Sequence, residues 1–127
     1  MTGHERASSE MRVVVCGSRS WRDASAMEAA LRRLPRGSQI VHGDARGADR
    51  TAGSVAERLG HYVARMPAEW ERYGKSAGMR RNEQMLTCVK PDLVMAFWDG
   101  SSRGTRNMID RARRAGVRVR VYREGPA

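Results

Sequence analysis

Residues 91–110 have the sequence PDLVMAFWDGSSRGTRNMID, and this stretch decides the fold. Leu93 to Trp98 form a continuous apolar run, which predicts a strand that is buried on both faces, as in a parallel α/β sheet. A polar loop with two glycines follows, and a helix is predicted to begin near Arg103. Free N–H groups at such a helix start bind anions, most often phosphate. The alternative is an ordinary turn whose Ser and Thr side chains only cap the helix.

The rest of the chain repeats the alternation of short apolar strands and amphipathic helices. Further strands are predicted at residues 11–16, 39–42, 61–66 and 117–122. Helices are predicted at residues 23–34, 48–59, 77–89 and 103–115. We therefore predict a Rossmann-like α/β fold of three layers, with a mostly parallel sheet of about five strands and helices on both faces. Valines alternate with arginines in the last strand, which predicts an edge strand.

The length of 127 residues indicates one domain, which we place at residues 11–123 after a disordered leader at residues 1–10. No apolar run approaches the ~20 residues of a membrane span, and the leader lacks the apolar segment of a signal peptide. We therefore expect a cytoplasmic protein without a membrane partner. Cys16 and Cys88 lack metal-ligand spacing, so we predict buried, reduced thiols and no metal site.

The charge of the chain favours anionic partners. The formal net charge is +10, and almost all of the cationic residues are arginines. A positive field of this size attracts polyanions, from nucleotides to nucleic acid. The arginines of residues 111–123 are interpreted either as a solvated surface or as a stripe that binds nucleic acid.

Loops of similar composition follow three of the predicted strands, at residues 17–19, 43–49 and 99–105. Each contains glycine, a hydroxyl or carboxylate group, and an arginine. Because the carboxyl ends of parallel strands lie at one edge of the sheet, we expect the loops to converge there on a phosphate-bearing ligand. The alternative is that Gly, Ser and Asp only serve local turn geometry. The candidate ligand-binding residues in these loops are Gly17, Ser18, Arg19, Gly43, Asp44, Gly47, Asp49, Asp99, Gly100, Ser101, Ser102, Gly104 and Thr105.

Better-known nucleotide signatures are absent from the chain. It contains neither the P-loop pattern nor the glycine spacing of the dinucleotide fingerprint, and no cofactor is expected. His42 lies at the end of a predicted strand, and His61 is expected to be a surface residue. Trp70 and Tyr73 either stack on a base or pack against the core or a dimer partner.

Four segments resemble, in chain order, the sequence blocks of the YspA/YpsA-related branch of the SLOG superfamily. They are VVVCGSRSW at 13–21, HGDARGAD at 42–49, KSAGMRRNEQM at 75–85 and WDGSSRGTRNM at 98–108. The resemblance covers residues 11–122 and implies a Rossmann-like fold that binds nucleotides or nucleotide-derived ligands. Relatives of this branch include the Lonely-guy phosphoribohydrolases and the DNA-processing protein DprA, and the branch is often found in phage and bacterial conflict systems.

The Lonely-guy enzymes hold phosphate on a Gly-Gly-x-Gly-Thr-x-x-Glu loop, and the resemblance matches Gly104 and Thr105 to its Gly-Thr pair. It also matches Arg81 to the arginine that works with the glutamate of this loop. The glutamate position falls on Met108, which cannot polarise water or stabilise an oxocarbenium ion. Glycoside hydrolysis normally needs carboxylates in defined places. The resemblance therefore supports ligand binding more strongly than hydrolysis.

If the chain is an enzyme, the resemblance implies a nucleotide N-glycoside hydrolase. The catalytic candidates are Arg81, Asp44 and Asp99, and Asp49 is a further acid at the same edge of the sheet. Asn82 follows Arg81 and joins it as a candidate ligand-binding residue, with a helix-surface position as the alternative.

Three functions are therefore considered. The first is binding of a nucleotide or nucleotide-derived ligand (ADP-ribose, an NAD-related compound or a nucleoside phosphate) by a sensor or sequestering module. The second is a nucleoside 5′-monophosphate N-glycosidase like the Lonely-guy enzymes. The third is single-stranded DNA binding like that of DprA, which makes nucleic acid an alternative partner.

We also expect a homodimer that pairs through the helices at residues 77–89 and 103–115. The apolar residues of these helices exceed what one helical layer of a small domain needs to bury, and two-fold pairing is the commonest way to cover such a surface. The residues in question are Met79, Met85, Met108 and Ile109.

Overall fold

The computed structural model describes residues 11–124, so the predicted leader at residues 1–10 lies outside the described part of the chain. The strands are β1 (Arg12–Gly17), β2 (Gln39–His42), β3 (Tyr62–Arg65), β4 (Leu93–Phe97) and β5 (Arg118–Tyr122). The helices are α1 (Ala24–Arg32), α2 (Ala48–Arg58), α3 (Trp70–Tyr73), α4 (Ala77–Gln84) and α5 (Arg103–Arg114). A 3₁₀ turn (Gly74–Ser76) joins α3 to α4, and a π-helical turn (Met85–Val89) continues α4.

The five strands form one sheet in the order β3-β2-β1-β4-β5, and every neighbouring pair is parallel. This arrangement confirms the predicted Rossmann-like α/β fold. The strand order reverses at β1, because β2 and β3 lie on one side of it and β4 and β5 lie on the other. Ligands of open α/β sheets bind outside the carboxyl ends of the strands at this reversal. The topology therefore predicts that a ligand site lies at the loops that follow β1 and β4.

The central strand contributes to two separate cores, one on each face of the sheet. Val13 and Val15 pack with buried residues of α1 and α2. Val14 and Cys16 point to the other face and pack with buried residues of α5. Helices therefore cover both faces, as a parallel sheet requires, because its apolar residues face both ways.

The burial of β4 and the edge position of β5 agree with the predictions. All five residues of β4 are buried, in agreement with its continuous apolar run. β5 is an edge strand, and its Arg118 and Arg120 are exposed. Charged side chains on an edge discourage pairing with the strands of other chains. Among the helices of residues 11–124, none combines the length and the apolar character that crossing a membrane requires.

Two expectations about side-chain burial are wrong. Cys88 is exposed, whereas Cys16 is buried as predicted, and both thiols are free. His61 is not a surface residue, since only 7% of it is exposed and its Nε2 lies 2.9 Å from the carbonyl oxygen of Leu31. A carbonyl oxygen can only accept, so Nε2 carries the proton. His61 thereby ties the segment before β3 to α1.

The apolar residues that favoured a dimer are mostly inside the subunit. Met85, Met108 and Ile109 are at most 3% exposed and belong to the core on one face of the sheet, so the argument that they are in excess is wrong. Met79 is 49% exposed. The homodimer stays a prediction. Light scattering at physiological salt tests it, and a mass near that of the 14.2 kDa monomer would contradict it.

Candidate functional site

A cleft of about 800 Å³ opens at the carboxyl ends of β1, β2 and β4. This volume lies within the range of about 300–1,000 Å³ that is typical of small-molecule pockets. The loops after these strands, the segment from Pro67 to Trp70, and residues of α4 and of the start of α5 form its walls. Of the predicted ligand-binding residues, those that line the cleft are Arg19, Gly43, Asp44, Asp49, Arg81, Asn82, Asp99, Ser102, Gly104 and Thr105.

The other predicted residues are not part of the cleft lining, and they shape the loops instead. They are Gly17, Ser18, Gly47, Gly100 and Ser101. Ser18 is 1% exposed, and its backbone N–H donates to the carbonyl of Phe97 at 2.9 Å. Its carbonyl accepts from the N–H of Ala48 at 3.1 Å, and its Oγ accepts from the N–H of Asp99 at 2.9 Å. One buried serine thus connects the loops after β1 and β4 to the start of α2.

Gly47 allows the loop after β2 to pack on the loop after β1. Its backbone has φ 78° and ψ −124°, a conformation that side chains with a Cβ rarely adopt. A Cβ at this position would also overlap the backbone of Arg19. The glycine therefore sets the distance between the two loops that form one wall of the cleft.

Asp49 closes the loop after β2. Its Oδ2 accepts hydrogen bonds from the N–H groups of Gly43 at 3.1 Å and Ala45 at 3.2 Å. Burial raises the pKa of Asp49 to about 6, although these hydrogen bonds and the charge of Arg81 act in the opposite direction. The carboxyl group therefore titrates close to neutral pH, which is common for groups in functional sites.

We expect the substitution Asp49→Asn to change how stability depends on pH. The pKa of Asp49 is about 6 in the folded protein against an ordinary value of 3.8. Between these values the folded protein keeps a proton that the unfolded chain has released. The stability of the wild type should therefore fall as the pH rises through this window, by about 3 kcal/mol in total. Asparagine keeps an acceptor oxygen for Gly43 and Ala45 but does not ionise.

Urea unfolding of both proteins between pH 4 and pH 8 measures this effect. As the pH rises, the unfolding free energy of Asp49→Asn should increase by about 3 kcal/mol relative to that of the wild type. Two parallel pH profiles would contradict the prediction. A change outside this window would indicate a different titrating group.

Arg81 and Asn82 of α4 join the loop after β2 to the start of α5. The Nη1 of Arg81 donates to the carbonyl of Gly43 at 2.8 Å, and a Cβ at Gly43 would overlap its guanidinium group. Asn82 accepts from Nε of Arg81 at 3.3 Å. Its Nδ2 donates to the carbonyl of Gly104 at 3.1 Å and to Oδ1 of Asn107 at 3.2 Å. With 5% exposure, Asn82 is not a helix-surface residue.

Asp99 places a carboxylate of the protein itself beside the start of α5. Its Oδ1 accepts from the N–H groups of Ser101 at 2.8 Å and Ser102 at 2.7 Å, and its Oδ2 accepts from Oγ of Ser20 at 3.3 Å. The backbone hydrogen bonds lower the pKa of Asp99 to about 2, so it is ionised at neutral pH. Two of the N–H groups that the loop was predicted to offer to a ligand are therefore already occupied.

The first turn of α5 nevertheless has space for an anion beside its N–H groups. Arg103, Gly104 and Thr105 occupy this turn, and the N–H groups at the start of a helix have no intrahelical partner. No described atom lies within 4 Å of the position that a Cβ of Gly104 would take. The hydroxyl oxygens of Thr105 and Ser102 lie 3.2 Å apart at the same turn. The helix dipole adds to the attraction for negative charge.

Arginines supply the positive charge of the cleft, which is lined by Arg19, Arg46, Arg50 and Arg81. The Nε of Arg50 lies 3.3 Å from Oδ1 of Asp44. Within residues 11–124, the guanidinium groups of Arg19 and Arg46 have no hydrogen-bond or ion-pair partner. Arg46 and Arg50 are absent from the predicted set, although Arg46 lies inside the loop 43–49 and Arg50 follows it. The arginine side chains at these two positions are the sequence feature that could have identified them as anion-binding candidates.

The described part of the chain holds no group of three or more His, Cys, Asp and Glu side chains that could bind a metal ion. The groups that line the cleft include arginines, the start of a helix and a buried carboxyl group. Such groups bind phosphate and ribose hydroxyls.

Comparison with known proteins relates this arrangement to a family. A family model described as "YspA, cpYpsA-related SLOG family" matches residues 11–73. The Gene 61 protein of Mycobacterium phage D29 is 37% identical over 124 residues, which cover 91% of this chain and 98% of that protein.

A solved structure has a similar fold. The X-ray structure of DNA processing protein A (DprA) from Streptococcus pneumoniae superimposes with a TM-score of 0.68 at 20% sequence identity. The match covers 92% of this chain and 51% of that chain, so the protein spans about half the length of DprA. At this identity the similarity concerns the fold alone.

Proposed function

The chain belongs to the YspA, cpYpsA-related SLOG family, and from this premise we propose that it binds a nucleotide or a nucleotide-derived ligand in the cleft. Nucleoside phosphates and ADP-ribose or NAD-related compounds are the ligand classes that fit the proposal. The protein would act as a sensor or a sequestering module. The relative from a phage supports a place in a phage or bacterial conflict system.

One observation carries the proposal. The open side of Gly104 at the start of α5 faces a cleft that is lined by more arginines than its carboxylates neutralise. Asp44 pairs with Arg50, and Asp99 and Asp49 each accept hydrogen bonds from two backbone N–H groups, so all three carboxylates of the cleft already have partners. The surplus positive charge and the helix start attract the same kind of group, which is phosphate.

The ligand then has a defined orientation in the proposed complex. A phosphate group would accept hydrogen bonds from the first turn of α5 and from the hydroxyl of Thr105. Arg19 and Arg46 on the opposite loops would bind a second phosphate or the ribose. Asp49 would accept from a ribose hydroxyl, and its pKa of about 6 would then be sensitive to the ligand.

Two measurements test the proposed function. Native mass spectrometry of protein purified from cells should reveal a retained nucleotide. Calorimetric titration with AMP, UMP, ADP-ribose and NAD should then give a saturable signal with one member of the panel. If no retained ligand is found and none of these compounds binds at millimolar concentration, the proposed function is wrong.

A second candidate function, N-glycoside hydrolysis, depends on whether an acid replaces the missing glutamate. Met108 is fully buried in the core, so its position does not reach the cleft. Asp99 is a poor proton donor because its pKa is about 2. Asp44 is paired with Arg50. Asp49 is the remaining acid, and its pKa of about 6 favours it as a general acid or base.

We predict that the protein does not release free base from nucleoside monophosphates at an enzymatic rate. Both hydrogen bonds of Asp49 hold it to its own loop, and the other two carboxylates of the cleft, Asp44 and Asp99, are held by Arg50 and by backbone N–H groups. Chromatography after prolonged incubation with AMP or UMP measures base release. Turnover that disappears in Asp49→Asn would contradict the prediction and would assign Asp49 as the catalytic acid.

The exposed arginines of α5 and β5 favour nucleic acid as a third candidate ligand. They are Arg103, Arg106, Arg113, Arg114, Arg118, Arg120 and Arg123. A surface of this kind binds phosphate backbones without sequence preference, and its affinity falls steeply with salt. Fluorescence anisotropy of a labelled single-stranded oligonucleotide at increasing salt tests this proposal. A lack of binding at 50 mM salt would exclude it.

A further inference from the structure

We propose that the indole ring of Trp70 is the surface on which the base of the nucleotide stacks. This inference rests on the proposed function, because it assigns a base-binding part to the same cleft. It assigns a site to the nucleobase that all of the proposed ligands carry, and it predicts that sugar phosphates bind more weakly than nucleotides.

Trp70 differs from the other tryptophans in its lack of protein cover. It is 51% exposed and belongs to neither hydrophobic core. Trp21 is 3% exposed and packs against Phe97 with 5.3 Å between ring centroids. Trp98 donates from its Nε1 to the carbonyl of Ser102 at 3.0 Å. A single exposed aromatic ring is not unusual by itself, and Tyr62 is 70% exposed, so the inference depends on the position of Trp70 in the cleft.

The ring lies in the wall of the cleft. Among the described residues that line the cleft, Trp70 is the only aromatic residue. The same cleft is lined by Gly104 at the start of α5, where we propose to place the phosphate. A cleft of about 800 Å³ is large enough for a nucleotide that contacts both residues.

The indole ring of Trp70 lies beside α4 at Gly78. The Cη2 atom of Trp70 lies 3.4 Å from the position that a Cβ of Gly78 would take. A longer side chain at this position would therefore displace the ring. A Cβ at this distance would be in ordinary van der Waals contact with the indole, so the ring lies directly against the helix at Gly78.

Tyr73, the other aromatic residue of α3, is held in a different way. The guanidinium carbon of Arg80 lies 4.5 Å from the centroid of its ring, and that of Arg72 lies 5.1 Å from it. Ser76 donates from Oγ to the carbonyl of Tyr73 at 3.0 Å. These contacts anchor the end of α3 and occupy the tyrosine ring. They leave Trp70 as the ring that is available for a base.

Trp70→Ala tests the inference with two probes that differ only in the base. AMP and ribose 5-phosphate share the ribose and the phosphate, so the ratio of their affinities reports on base binding. Stacking of a base on an aromatic ring corresponds to a loss of about 5- to 100-fold on substitution by alanine. We expect Trp70→Ala to lower the affinity for AMP by this factor and to leave the affinity for ribose 5-phosphate unchanged. ADP-ribose is titrated in parallel as a larger base-containing probe.

Two control variants accompany this experiment. Trp70→Phe should keep most of the affinity for AMP, because phenylalanine retains an aromatic face. Tyr62→Ala removes a 70% exposed aromatic residue of β3 that is not part of the cleft lining, and it should bind both probes as the wild type does. Quenching of tryptophan fluorescence by AMP should also disappear in Trp70→Phe.

The possible outcomes separate the inference from the proposed function. If the wild type binds AMP and Trp70→Ala binds it equally well, base stacking on Trp70 is wrong and the phosphate site remains. If AMP and ribose 5-phosphate bind the wild type with equal affinity, the preference for a base is wrong. If the wild type retains no ligand and binds none of these three probes, UMP or NAD, the proposed function fails and this inference fails with it.

Discussion

Gly104→Val is expected to weaken nucleotide binding by about 100-fold or more while the protein remains folded. The valine side chain would fill the open space beside the first turn of α5, because no described atom lies within 4 Å of its Cβ position. A phosphate could then no longer reach the N–H groups of this turn. Two charge-assisted hydrogen bonds contribute about 1.5–3 kcal/mol each, so their loss corresponds to at least this factor in affinity.

The same geometry predicts that folding is preserved. The substitution adds atoms to solvent-filled space rather than to the core, since Gly104 is exposed. Valine also has a higher helix propensity than glycine. The melting temperature of Gly104→Val should therefore lie within a few degrees of the wild-type value. Addition of Thr105→Val removes the hydroxyl group of the same turn and should abolish the remaining affinity.

Calorimetric titration with the tightest-binding compound among AMP, UMP, ADP-ribose and NAD measures the loss. Ala29→Val is the matched control, because it places the same side chain on the exposed face of α1, away from the cleft. It should bind as the wild type does. Wild-type affinity in Gly104→Val/Thr105→Val would show that the phosphate lies elsewhere in the cleft.

The position of the site could be predicted from the sequence because it follows from chain topology. The apolar run of β4 indicated a strand covered on both sides, and parallel strands bring their following loops to one edge. Glycine, hydroxyl and arginine residues in these loops then indicated an anion. Ten of the predicted residues line one cleft, although they come from distant parts of the chain.

The chemistry of individual groups could not be predicted in the same way. Whether Asp99 faces a ligand or turns back to the N–H groups of Ser101 and Ser102 depends on loop conformation rather than on residue type. The pKa of Asp49 depends mainly on its burial, which requires the complete fold. Neither the orientation of Asp99 nor the pKa of Asp49 can therefore be predicted from a pattern of residue types.

Burial on helices was predicted less well than burial on strands. The apolar residues Met85, Met108 and Ile109 were assigned to a dimer interface, but all three turn inward. Met85 opens the π-helical turn after α4, so the regular helical spacing no longer gives its direction. The two alternatives for Trp70 stayed open, because an aromatic residue in a short helix has no periodicity from which its exposure can be predicted.

Gly17→Ala is expected to destabilise the protein by about 3 kcal/mol. Gly17 ends β1 and pairs with Phe97 of β4 at the centre of the sheet. A Cβ at Gly17 would overlap the carbonyl oxygen of Phe97 and the Cβ of Ala48, and it would lie 3.1 Å from the Cβ of Phe97. These neighbours belong to the sheet and to α2, so they cannot move aside without distortion of the core.

Two effects combine to give this magnitude. Overpacking of a core typically costs about 1–3 kcal/mol. The carbonyl of Phe97 also accepts the N–H of Ser18 at 2.9 Å, and displacement of this carbonyl would weaken a hydrogen bond of about 1 kcal/mol. Because Ser18 in turn holds Asp99, the distortion should reach the cleft and lower nucleotide affinity as well.

Gly60→Ala provides the contrast that identifies the cause. Gly60 has φ 86°, and no described atom lies within 4 Å of its Cβ position, so alanine there meets backbone strain but no collision. That strain amounts to about 1 kcal/mol. Urea unfolding at pH 7 should therefore rank Gly17→Ala well below Gly60→Ala in stability. Equal losses would contradict the close contact between Gly17, Phe97 and Ala48.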